Sequence, residues 1–64
     1  MKSWLGRKVI ALNAKGQVQG LLLGFKVNDK GINVLVAEGK KFHVVENIRR
    51  LSFQDLEREE VVVN

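Results

Sequence analysis

His43 is the one histidine in this 64-residue chain, and so the only side chain of the type that commonly serves as acid or base near neutrality. A general base needs a reacting group within reach and a neighbour that orients it. Glu46, three positions on, falls on the opposite face of a strand, so local geometry does not pair the two. Acids gather only at Asp55, Glu57, Glu59 and Glu60. Such a run, with no rigid pocket around it, is ordinarily a solvated face or a hinge. The chain has no cysteine, which removes disulfides and thiolate metal sites, and one histidine cannot build a metal site alone. Gly20-x-x-x-Gly24 is followed by neither the Lys-Ser/Thr pair nor the helix that a phosphate loop requires. A non-enzymatic protein is expected, with no catalytic residue, cofactor or metal.

Binding chemistry is better represented. The net charge is +4, and it is unevenly spread. Residues 1–50 carry ten Lys and Arg against Asp29, Glu38 and Glu46, whereas beyond residue 50 only Arg58 offsets Asp55, Glu57, Glu59 and Glu60. A basic body can attract polyanions, and an acidic tail can fold back on it or pair with a neighbour's basic face. The cations available are Arg7, Lys8, Lys26, Lys40, Lys41, Arg49 and Arg50. Lys40 and Lys41 are expected to meet Arg49 and Arg50 across the fourth strand, which makes these four the candidate nucleic-acid contact. Aromatic residues for base stacking are few: Trp4, Phe25, Phe42 and Phe53. Phe25 and Phe42 read as core, while Trp4 and Phe53 could cap the domain or anchor an interface. RNA contact would therefore run through phosphates, with little base reading.

The elements that would position these groups are strands. Asn13-Ala14-Lys15-Gly16, Asn28-Asp29-Lys30-Gly31 and Glu38-Gly39-Lys40 punctuate apolar segments at short intervals, which is the pattern of a meander. The first two fit hairpin turns whose final glycine takes positive φ. Strands are expected at Arg7–Leu12, Gln17–Val27, Ile32–Ala37 and Lys41–Glu46. Gly20 and Gly24 should bend the long second strand so that it serves two halves of a curled sheet. In the fourth strand Phe42 and Val44 should face in, with Lys41 and His43 facing out. The third carries Ile32, Val34 and Val36 on one face and Leu35 and Ala37 on the other, so its second face needs a cover. Asn47 to Leu51 reads as a turn of 3₁₀ helix, and Ser52 with Asp55 as a weak capping box before a helical turn or two. Val61-Val62-Val63 would be a closing strand.

The expected fold is an all-β single domain over residues 1–64: a small five-strand antiparallel SH3-like or PRC-like barrel with a short helical turn near the C-terminus. A chain of this length buries only roughly 60% of its unfolded surface, so self-association is an expected source of stability. No leader is visible at residues 1–6, no apolar run approaches the roughly 20 residues of a bilayer span, and a cytoplasmic location is expected.

Leu5-Gly6-Arg7-Lys8-Val9-Ile10, the Gly16 to Gly20 spacing, Val27-Asn28-Asp29-Lys30-Gly31 and the terminal valine triplet together resemble the PRC-barrel family. The segment between Ile48 and Val61 is longer than that family's pattern. Lys8 to Leu12 with Gly16, then Gly20-Leu21-Leu22-Leu23-Gly24-Phe25, is similar to the Sm-like family. The apolar second face and the small size, with the first resemblance beside them, favour a binding or adaptor module that works through protein contacts, as a homodimer or higher assembly or with another protein. Its candidate interface is Trp4, Leu21, Leu23, Leu35, Val45 and Phe53. The second implies an RNA-binding module.

Overall fold

The computed structural model describes residues 3–63. Among these there are six strands and no helix: β1 (Lys8–Asn13), β2 (Gly16–Asn28), β3 (Gly31–Glu38), β4 (Lys41–Val45), β5 (Arg50–Phe53) and β6 (Glu60–Val62). All pair antiparallel in one sheet of order β4-β3-β2-β1-β5-β6. With no helix in the described residues, none is long and apolar enough to cross a membrane.

The two Asn-x-Lys-Gly turns close by the same device. The Lys15 N–H donates to Asn13 Oδ1 at 3.0 Å, and the Lys30 N–H donates to Asn28 Oδ1 at 2.8 Å. Gly16 and Gly31 follow at φ 143° and 140°, a region that β-carbons disfavour. As expected, β2 serves two partners. Its first half pairs with β1 and its second half with β3, with the register shifting between Leu22 and Gly24. That bulge changes which residues stand on the core side: Leu22 opposes buried Val36, whereas beyond it Phe25, expected in the core but 47% exposed, opposes buried Val34.

The core is built from Val9, Ala11, Leu22, Val34, Val36, Val45, Ile48, Leu51 and Phe53. Trp4 packs on its rim, with its ring centroid 4.8 Å from Phe25 and 5.9 Å from Phe53.

Three expectations are corrected. The five-strand barrel is instead an open six-strand sheet, because β6 pairs with β5 and leaves β4 and β6 as its two edges. The 3₁₀ turn expected at Asn47 to Leu51 and the helical turn expected after Ser52 are both absent: β5 begins at Arg50, Leu51 opposes Ala11 and Phe53 opposes Val9, sending alternate side chains into the core, and residues 54–59 form a loop. In β4 the faces are reversed. Phe42 and Val44 are each 69% exposed, while Val45 is buried and His43 half-buried. The cause is the tight turn at Gly39 (φ 61°) and Lys40. It pairs Glu38 with Lys41, so His43 and Val45 fall opposite buried Val36 and Val34.

Candidate protein-binding face

The reversal of β4 creates the main surface feature of the molecule. Residues directly opposite in an antiparallel ladder share a face. One row therefore runs Lys8, Leu21, Ala37, Phe42 across β1, β2, β3 and β4. The next runs Gly24, Leu35, Val44. Leu23, the bulged residue, stands beside Gly24 and is 42% exposed, as is Leu21. Leu35 and Ala37 are half-buried. The result is a contiguous apolar area on the outer side of β2–β3–β4, away from the core, ending at the open edge of β4. Lys8 bounds it at one end, and the Lys26–Asn33 pair at the other. An apolar centre with a polar rim is the anatomy of a contact surface.

The expected interface residues divide accordingly. Leu21, Leu23 and Leu35 belong to this face. Val45 and Phe53 do not, being core residues at 3% and 2% exposure. Trp4 is half-buried against Phe25 and Phe53 and caps the core. Phe42 and Val44, the most exposed members of the face, were assigned inward by the sequence. The two-residue turn before them, read together with the inward parity of Val34 and Val36, is the signal that would have found them.

The four expected nucleic-acid contacts do not converge. Lys41 pairs with Glu38 at the end of the sheet where Ala37, Leu21 and Lys8 align. Arg50 pairs with Leu12, and the Arg49 N–H donates to the Leu12 carbonyl at 2.7 Å, both at the other end of β1. Lys8 and Leu12 are four residues apart, or about 13 Å at 3.3 Å per residue. Lys40 and Lys41 thus lie at one end of the sheet, and Arg49 and Arg50 at the other.

The acidic tail folds back on its own chain, the first of the two arrangements expected of it. Arg7 Nε donates to Asp55 Oδ2 at 2.6 Å, Nη2 to Asp55 Oδ1 at 3.0 Å, and Nη1 to Glu59 Oε1 at 3.0 Å. Its guanidinium lies 4.0 Å over the Phe53 ring. The Asp55 bond above all holds Arg7 above arginine's ordinary pKa; burial opposes this and the Glu59 bond adds to it. Arg50 Nε sits 3.7 Å from Glu60. Arg7 is therefore engaged by two carboxylates of the tail.

Arg7→Lys keeps the charge but loses the planar fork that reaches two carboxylates and stacks on the ring. The variant is expected to melt at a lower temperature and to be cut faster at Glu57 and Glu59 by a glutamate-specific protease. Arg50→Lys, whose pair is half exposed and longer, should change neither.

His43 faces the core side rather than solvent, and its Nε2 lies 3.1 Å from Glu38 Oε1. Among the described residues no three His, Cys, Asp or Glu side chains come together as a metal site. No family model, no curated protein and no solved structure matches the chain.

Proposed function

We propose that this chain is a non-enzymatic binding or adaptor module that acts through protein–protein contacts and self-association. Its contact surface is the outer face of β2–β3–β4. One observation carries the reading: Phe42 and Val44, both 69% exposed, stand on the same face as Leu21, Leu35 and Ala37 beside an open sheet edge. Large apolar side chains left in water at adjacent positions are unfavourable for a monomer, at roughly 25 cal/mol per Å² of apolar surface, and covering them favours association. RNA binding is not favoured, because the four cations expected to make the site lie at two ends of the sheet.

Light scattering after gel filtration tests the reading. The wild type is expected to show a mass above that of the monomer that falls on dilution. Phe42→Lys with Val44→Lys should give a folded monomer, since both sites are exposed and surface changes usually stay within about 0.5 kcal/mol, with a melting point lowered only by the lost association. A wild type that remains monomeric at every concentration would sink the self-association. Salt-sensitive binding of a short RNA, lost when Lys40, Lys41, Arg49 and Arg50 become Ala, would replace it with the RNA reading.

A further inference from the structure

The geometry points to a specific occupant of this face: a second copy of the chain, joined antiparallel along β4 about a twofold axis at His43. The inference rests on the reading above and adds to it the strand, the register and the charge pairs.

The first support is which backbone groups remain open. Along an antiparallel strand, peptide groups alternate between the two sides of the ladder. The Ile48 N–H donates to the Ile32 carbonyl at 2.9 Å, so Ile32 addresses the β4 side of β3. By alternation Val34, Val36 and Glu38 do so too, and their partners Val45, His43 and Lys41 address β3 in return. That leaves the peptide groups of Phe42 and Val44 on the open edge. These are the same two residues whose side chains form the exposed apolar stripe. An edge strand that is open in its backbone and apolar in its side chains is the arrangement proteins normally guard against, unless it is used.

The second support is register. Outward residues must oppose outward residues for the apolar face to continue across the junction, so even positions must pair with even positions. Three such registers are near the centre of β4. One places Phe42 against its own copy and Lys40 against Val44. Another places Phe42 against Glu46, a charge against an aromatic ring. The third places Phe42 against Val44 in both directions, His43 against His43, and Lys40 against Glu46 at both ends. Only this last one overlaps the whole of β4 and exchanges hydrogen bonds at both open residues, with Lys40 and Glu46 flanking the strand at its two ends. A twofold pairing of this kind is isologous and closed, so it stops at two copies.

The other edge does not compete. β6 has three residues and begins with Glu60, so it offers a shorter ladder and no outward aromatic. The β4 junction is itself small, at the low end of protein interfaces, and the dimer should be reversible at micromolar concentrations.

Two variants separate this inference from the broader reading. Val44→Pro deletes an N–H that points to the open edge, a position where proline is tolerated, while leaving Phe42 in place. It is expected to keep the wild-type Trp4 emission and far-UV spectrum and to lose the dimer. His43→Cys places the chain's only cysteine opposite its copy. Directly opposed β-carbons at such a pair lie about 4.5–5.5 Å apart, near disulfide range. Mild oxidation should convert the variant to a covalent dimer, while Val62→Cys on the other edge stays a thiol.

Lys40→Glu should weaken the dimer about three- to tenfold through its two symmetric contacts, and Lys40→Glu with Glu46→Lys should restore it. If Val44→Pro still dimerises and His43→Cys does not cross-link, while Phe42→Lys with Val44→Lys is monomeric, the copies stack face to face. That outcome overturns the edge pairing and keeps the proposed function. Should Val44→Pro fail to fold, the cysteine pair decides alone. A monomeric wild type overturns both.

Discussion

Gly20→Ala should leave the chain unfolded, or nearly so, at room temperature. A β-carbon built on Gly20 would lie 2.1 Å from the Ala37 carbonyl oxygen, 2.8 Å from its carbon and 2.9 Å from Val36 Cγ1. Real contacts of this kind do not fall below 3.0 Å, and two of the three obstructing atoms are backbone, so no rotamer change relieves them. Accommodation would require β3 to move away from β2 by about 1 Å, against core packing that resists even a methylene of added volume. A domain of this length has a total stability of roughly 3–10 kcal/mol, at 0.05–0.15 kcal/mol per residue. Overpacking costs typically 1–3 kcal/mol, and more when the backbone itself must shift. Gly24→Ala is the matched control: the same strand, four residues on, with nothing within 4 Å of the added carbon. It should melt within about 1 kcal/mol of the wild type. A Gly20→Ala protein with the wild-type far-UV spectrum and melting point would show that β2 and β3 do not approach this closely.

The contrast between these two glycines marks how far the sequence could be read. Their spacing announced a bend or bulge in a long strand, and β2 carries a register shift and changes partners there. It could not say that one glycine is demanded by a neighbouring carbonyl while the other has open space where a β-carbon would stand, because that carbonyl is 17 residues away along the chain. The hairpins at Asn13 and Asn28 were legible because their chemistry is local: an asparagine oxygen, an amide two residues on and a glycine.

The faces of β4 were not legible, because Phe42 and Val44 are locally the better core candidates. Position is imposed by the Gly39–Lys40 turn and by what Val34 and Val36 already face. The same holds for β5. Ile48 and Leu51, three apart and both buried, satisfy a helical turn as well as a bend followed by a strand. Asn47, held at φ 52° with its N–H donating to Asn33 Oδ1, supplies the bend. The charge pattern was legible only in part, for a related reason. The tail's acids and the body's cations were visible, but which of them meet depends on β1 and β5 lying side by side. That adjacency puts Asp55 and Glu59 on Arg7, and the pairing of β5 with β6 puts Glu60 near Arg50. Lys40 and Lys41 lie at one end of the sheet and Arg49 and Arg50 at the other, so the four cations do not form one patch.

Phe53→Ala is the second large effect, and it tests how the two ends of the chain are held. Phe53 is 2% exposed and joins three groups: Val9 opposite it on β1, Trp4 at a ring-centroid distance of 5.9 Å, and the Arg7 guanidinium 4.0 Å above its face. Removing the ring opens a cavity in a thin core, a change that costs about 3–5 kcal/mol for Phe→Ala at buried sites. That is comparable with the whole stability expected of the domain. It also takes the floor from beneath Arg7, whose carboxylate partners then lose their ordered position. The variant should therefore be largely unfolded at 25 °C, or melt some tens of degrees lower if the wild type is at the stable end of its range. Trp4 emission should move to longer wavelength as the indole meets water. Phe53→Leu separates the two contributions. It keeps most of the apolar volume, so the domain should fold, but it offers Arg7 no aromatic face. A folded Phe53→Leu with Glu57 and Glu59 cut as fast as in Arg7→Lys would place the ring's role in holding Arg7. Protection equal to the wild type would show that the two carboxylates hold Arg7 without it.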